Sequence, residues 1–210
     1  MNKLGDLSCN EFLTELASAA PAPGGGGGAA MAGALAAALA SMVANLTIGK
    51  EKFADREPEV KELLEQAEAE RVRLLTLVDE DAAVFNSFMS CYKLPKTTDE
   101  EKAARTAAIR AAAKQAATVP LNIARSSFAV LKLADRLVVS GNPGVITDGA
   151  CSGLLARAAL RCAEYNVRIN LGLTKDEEWN AQAAAELKQL LADAEALETR
   201  LLAVTDKALQ

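Results

Sequence analysis

The chain contains no histidine. That absence excludes every imidazole-based device: histidine triads, imidazole metal ligands and histidine proton shuttles. Acid–base chemistry falls to Asp, Glu, Lys, Tyr or Cys. Aromatic residues make up only 4% of the 210 residues, whereas half are hydrophobic and alanine supplies much of that share. This bias suits closely packed helices better than sheets, and no run of residues reads as a strand. The four cysteines, Cys9, Cys91, Cys151 and Cys162, show neither CxxC nor zinc-ligand spacing. They are therefore expected to be buried free thiols in a reducing, cytoplasmic setting, with no metal site. A net charge of −5 leaves no electrostatic footprint for nucleic acid or anionic lipid.

The longest absence is one of charge. Between Glu15 and Lys50 no residue is ionisable. Within that gap, Pro21-Ala22-Pro23 leads into five glycines, Gly24 to Gly28, and then into an alanine-dominated helix over residues 29–47. Residues 29–48 reach transmembrane length, but alanine, serine, asparagine and glycine supply little insertion energy, and no basic region marks a signal peptide. The expectation is a buried central helix. Glycines before it would let a ligand or another backbone approach the exposed amide N–H groups. They do not form a P-loop, since Gly-Lys-Ser/Thr is missing. Nor are they a dinucleotide fingerprint, since no βαβ unit surrounds them.

Helix signals dominate the rest. Ser8 with Glu11 and Thr98 with Glu101 read as capping boxes. Pro58 opens a third helix reaching about Tyr92. Pro120 should kink or split the fourth, and Gly141-Asn142-Pro143-Gly144 is a turn. A further helix covers residues 148–171, and Thr174 with Glu177 starts the last. The pattern predicts one all-α domain over residues 1–210, an up-and-down bundle of long helices. Leu187, Leu190, Ala194, Leu197, Leu201, Val204 and Ala208 form a stripe for bundle packing or a dimer seam. A second seam runs Cys151, Leu155, Ala158, Cys162, Tyr165, Ile169.

In the third helix, Asp81 interrupts the stripe Leu74, Val78, Phe85, Phe88, Tyr92. A carboxylate on a buried face is costly unless paired or used, so Asp81 is the first candidate for acid–base work; on pattern alone a salt bridge or a boundary position is the more ordinary explanation. Asp148 is a candidate acid or an N-cap. Asn166 and Asn170 share a helix face and could read a heterocycle or cross-link helices. Lys96 sits in a break beside Pro95, and Arg105 could meet a carboxylate bidentately.

In order along residues 5–180, Pro23-Gly24-Gly25-Gly26, Met42-Val43-Ala44-Asn45-Leu46-Thr47, Asp81, Phe85-Asn86, Leu94-Pro95-Lys96, Arg105, Pro120-Leu121, Gly141-Asn142, Asp148 and Asn166-Val167-Arg168-Ile169-Asn170-Leu171 resemble the cyclodeaminase domain of formiminotransferase-cyclodeaminase. They also resemble its free-standing bacterial relatives, some of which are methenyltetrahydrofolate cyclohydrolases. Gly27 and Gly28 stand where such proteins often carry a serine or another small residue. The resemblance implies an all-helical homodimer or higher oligomer acting on a reduced folate, with no cofactor beyond that substrate. It implies catalytic roles for Asp81, Lys96 and Asp148, and substrate binding by Gly24, Gly25, Gly26, Asn45, Arg105, Asn142, Asn166 and Asn170. Nitrogen 10 would attack a 5-formimino carbon with loss of ammonia, or water would open the 5,10-methenyl bridge. The lack of a fused transferase tilts the expectation toward the hydrolysis. The competing reading is a non-catalytic helical assembly module.

Overall fold

Ser8 opens the first helix, α1 (Cys9–Leu16), with the capping box the sequence predicts: its hydroxyl accepts from the Glu11 amide and the Glu11 carboxylate accepts from the Ser8 amide. The computed structural model describes residues 3–210. Five more helices follow: α2 (Gly25–Asn45), α3 (Glu57–Cys91), α4 (Asp99–Ser140), α5 (Ile146–Thr174) and α6 (Glu177–Ala208). There is no strand among the described residues. Gly49, at a φ of 75°, turns the chain from α2 into α3, and its amide bonds the Glu57 carboxylate at 2.9 Å. Thr98 and Glu101 cap α4 reciprocally.

Pairings between helices fix the topology. Gly26 lies against Asp81, so α2 and α3 run antiparallel. Arg136 bonds Glu59, which sets α3 against α4. Gly149 packs on Val138, and Asn170 bonds the Ala116 carbonyl, so α4 and α5 are antiparallel. Arg157 pairs with Glu198 between α5 and α6. Arg125 pairs with Glu186, and the almost fully buried Asp135 with Arg200, so α4 and α6 run the same way. The result is the expected up-and-down bundle, with α2 packed among α3, α4 and α5.

Small residues make this packing possible. The buried face of α2 is Gly26, Gly27, Ala29, Ala30, Gly33, Ala34, Ala36, Ala37, Ala40, Ser41, Val43 and Ala44. A Cβ on Gly33 would stand 3.0 Å from a Leu74 methyl and 3.1 Å from the Ser127 hydroxyl. α2 is also the one helix, among the described residues, long and apolar enough to cross a membrane; here most of it is buried in the bundle. In α6, Leu187, Ala194 and Leu201 are buried and Leu190, Leu197 and Val204 pack against the core. The last-helix stripe therefore serves bundle packing within the chain.

Four expectations are corrected. Pro120 does not split α4, since helix continues on both sides. Asp176, not Thr174, caps α6, its carboxylate accepting from the Trp179 amide at 3.1 Å. Thr174 is the last residue of α5 and instead bonds the Asn180 side chain at 2.6 Å. The α5 seam faces outward: α5 buries Gly149, Ser152, Gly153, Ala156, Ala159, Leu160, Ala163 and Val167, leaving Tyr165 58% and Ile169 72% exposed. Close helix approach selects the face with the smallest side chains rather than the most apolar ones. For the same reason Cys151 and Cys162 are exposed, as is Cys9, and Cys91 is half-buried, so the four free thiols are not core residues.

Gly33→Val tests the tight crossing. Its two extra γ-carbons would overlap Leu74 and Ser127, and overpacking of this kind costs about 1–3 kcal/mol. Denaturant unfolding should show that loss, and an unchanged midpoint would mean the helices are not in such close contact.

Candidate active site

The five-glycine run places the start of α2 at the floor of a cavity of about 410 Å³. Gly24 occupies the N-cap position in an extended conformation and offers no side chain to the first turn. The first intrahelical bond runs from the Gly28 amide to the Gly24 carbonyl, 2.9 Å. The amides of Gly25, Gly26 and Gly27 thus have no intrahelical partner, and the positive end of the helix dipole points the same way.

Asp81, on α3, faces this terminus. A Cβ on Gly26 would lie 2.6 Å from the Asp81 carboxyl carbon, so only glycine lets the carboxyl reach the helix backbone. Burial holds the Asp81 carboxyl above the usual aspartate range, and the Gly27 amide N–H pulls partly the other way. It belongs to no ion pair among the described residues, which removes the salt-bridge explanation of an acid in the α3 stripe.

Two asparagines complete the polar rim. The Asn166 carboxamide lies beside Gly25, about 3.5 Å from where a Cβ would stand, and donates to the Cys162 carbonyl at 2.9 Å. The Asn170 amide donates to both the Ala116 and the Asn166 carbonyls at 2.8 Å. Val84, Phe85, Phe88, Val119, Ile169 and Leu173 supply apolar walls. Among the described residues no group of three acidic or thiol side chains converges on a metal-sized site. The cavity offers one carboxyl, a row of amide donors and two carboxamides between apolar walls, which suits a flat heterocycle with a polar edge.

The structure thus brings together Gly24, Gly25, Gly26, Asp81, Asn166 and Asn170. It does not bring the other candidates to the same cavity within one chain. Asn142 caps the far end of the bundle: its backbone N–H bonds Thr47 Oγ1 at 2.8 Å and its side chain bonds the Leu46 carbonyl at 3.1 Å. Asn45 is exposed at the C-terminal end of α2, about 30 Å of helix from Gly25. Asp148 lies in the first turn of α5 without capping it, about 27 Å along that helix from Asn166. Lys96 is exposed in the loop between α3 and α4. Among the described residues Arg105 meets no carboxylate. Its guanidinium lies 5.5 Å from the Tyr92 ring centre and bonds the Tyr92 carbonyl at 3.3 Å, and Tyr92 packs edge-on against the wall residue Phe88 at 5.3 Å. Arg105 therefore supports the wall from behind. The sequence reasoning missed the Ala116 carbonyl; the signal was Pro120, four residues on, which cannot supply the amide that would normally occupy it.

Comparison with known proteins agrees with this architecture. The family model of formiminotransferase-cyclodeaminase matches residues 8–189. The chain is 45% identical over 197 residues to a methenyltetrahydrofolate cyclohydrolase of Methylorubrum extorquens, covering 94% of this chain and 95% of that protein. It is 33% identical to the formimidoyltransferase-cyclodeaminase of Sus scrofa over 87% of this chain, spanning 34% of that longer protein. The crystal structure of the formiminotetrahydrofolate cyclodeaminase of Thermotoga maritima superposes with a TM-score of 0.88 at 30% identity, covering 98% of both chains. The chain belongs to the formiminotransferase-cyclodeaminase family.

Proposed function

We propose that this protein is a reduced-folate one-carbon enzyme acting at the 5,10-methenyl bridge, and that its reaction is hydrolysis of 5,10-methenyltetrahydrofolate to 10-formyltetrahydrofolate. The observation that carries this reading is the end-to-end similarity, at 45% identity, to a methenyltetrahydrofolate cyclohydrolase. A cavity whose one acid is Asp81 supports it. The second reading, cyclisation of 5-formiminotetrahydrofolate with release of ammonia, draws on the likeness to the Thermotoga cyclodeaminase. Both reactions pass through the same bridging carbon.

The methenyl bridge is an amidinium cation. Asp81 meets opposite demands: burial favours its neutral form in the free protein, and a bound cation favours the carboxylate. A bound cationic substrate would therefore favour the carboxylate form of Asp81 where positive charge must be stabilised. Water then adds to the bridging carbon, giving up a proton to the carboxylate. Asp81 returns that proton to nitrogen 5 as the bond from nitrogen 5 to carbon breaks. The hydroxyl proton leaves to solvent as the formyl carbonyl forms, so one proton is released overall. In the second reading the protonated carboxyl acts as the acid that lets ammonia depart. The amides of Gly25 and Gly26 would hold an acceptor edge or carboxylate of the folate, and Asn166 and Asn170 its pterin. Neither reaction calls for a metal or redox cofactor.

A second copy of the chain is the proposed partner. α2 carries no charged residue and exposes Leu35 (53%) and Met42 (44%), and α5, which packs against α2, carries the outward stripe. Exposed apolar side chains on an uncharged helix support an interface with a second copy. Ile169 belongs both to that stripe and to the cavity wall, so an interface there would close the mouth of the site.

Light scattering should give twice the 22.0 kDa mass of the chain, and Leu35→Asp should give the monomer; a monomeric parent protein would overturn the second-copy reading.

Following the methenyl chromophore and released ammonia with each substrate decides the reaction. Loss of chromophore from 5,10-methenyltetrahydrofolate above the buffer rate, with 5-formiminotetrahydrofolate inert, is the expected result. Chromophore and ammonia from the formimino compound would select the cyclisation, and neither would reject both. In the same assay Asp81→Asn should lose at least about 10²-fold in turnover. Its stability should move the other way. The raised pKa means that the folded state holds the Asp81 proton more tightly than the unfolded chain. The ionised carboxyl thus costs stability above its folded-state pKa, and the cost fades as pH falls through that pKa toward the unfolded value. Asp81→Asn should melt higher than the parent at neutral pH, with the difference shrinking in acid.

A further inference from the structure

Pro120 sits in the interior of α4, with helix continuing on both sides. A proline there has no N–H, so the carbonyl four residues earlier, that of Ala116, loses its normal intrahelical donor. Ala116 lines the cavity. Its carbonyl accepts instead from the side-chain amide of Asn170 on α5, at 2.8 Å. The second proton of the same amide goes to the Asn166 carbonyl, also at 2.8 Å.

A carboxamide has two N–H donors and one oxygen. Both Asn170 donors are committed to backbone carbonyls on two helices. Only its oxygen remains for the cavity, and the side chain cannot flip without losing two hydrogen bonds and setting that oxygen against two carbonyl oxygens. We propose that Pro120 is a positioning residue that, through the vacated Ala116 carbonyl, fixes Asn170 as an obligate hydrogen-bond acceptor in the site, selecting a ligand that presents an N–H edge there. The proposal rests on the folate reading only for the ligand, whose pterin carries ring N–H and amino donors. The orientation of Asn170 stands on the geometry alone. The site is then polarised: amide donors of Gly25 and Gly26 at the start of α2 and an acceptor at Asn170 on α5. A heterocycle with donors on one edge and acceptors on another enters in one orientation, which sets its bridging carbon relative to Asp81.

Two measurements test this. The first is NMR of the Asn170 side-chain amide in the full-length protein without ligand. Both protons should exchange slowly with solvent. In Pro120→Ala, where residue 120 regains an N–H that competes for the Ala116 carbonyl, one of them should lose its protection. An Asn170 amide already exchanging freely in the parent protein would overturn the proposal, even if Pro120→Ala fails to fold. The second is a double-variant cycle on KM for 5,10-methenyltetrahydrofolate, with kcat and melting midpoint followed alongside. Pro120→Ala and Asn170→Ala should each raise KM by about three- to tenfold, the loss of one hydrogen bond. The double variant should be no worse than Asn170→Ala alone, because the proline acts only through the asparagine. Additive losses, or a KM change that merely follows the melting midpoint, would overturn the positioning role. If the parent protein turns over no reduced folate, the functional reading fails, and the amide protons still decide whether Pro120 orients Asn170.

Discussion

The bundle depends on how closely other helices can approach α2. Its buried face is almost entirely glycine and alanine, so α3, α4 and α5 close on it with little side-chain bulk between them. Alanine favours the helix, and its small side chain makes the short crossings possible. Where the crossing with α3 reaches the first turn of α2, even a Cβ is too large. Gly26 is bare, and the Asp81 carboxyl occupies the vacated space. The packing that stabilises the fold is thus the packing that sets a carboxyl against backbone amides with no partner within their own helix.

This arrangement carries its own electrostatic conflict. Burial pushes Asp81 toward its neutral form, while the Gly27 amide and the helix dipole favour the anion. No cation among the described residues pairs with it. A carboxyl in that position responds strongly to whatever charge enters the cavity, which is what proton transfer at a cationic carbon requires. The apolar walls reinforce the effect by keeping the local dielectric low.

Much of this was legible in the sequence because it is local. The capping boxes at Ser8 and Thr98 and the glycine entry to α2 each need only a few neighbouring residues. Asp81 stood out because an acid interrupts an apolar stripe. The outward face of α5 was misread because periodicity reports where apolar side chains lie, whereas close packing buried the smallest ones: Gly149, Gly153, Ala156 and Ala163. The placement of Asn142 and Asp148 was not readable for a different reason. Both lie at the end of the bundle where α2 finishes and α5 begins, a consequence of the antiparallel pairing of two helices far apart in sequence. Asn166 reaches Gly25, and Asn170 reaches the same cavity, because both lie near the C-terminal end of α5. Pro120 looked like a helix breaker because its compensating partner, Asn170, lies fifty residues downstream.

The start of α2 is the proposed place where the ligand is held. The most direct measurement is amide NMR of the labelled protein during titration with tetrahydrofolate, which cannot undergo either reaction. The backbone amides of Gly25, Gly26 and Gly27 should shift together with the side-chain amides of Asn166 and Asn170. Shifts confined to Asn45, Asn142 and Asp148, with the glycine amides unmoved, would contradict it and place the site at the opposite end of the bundle.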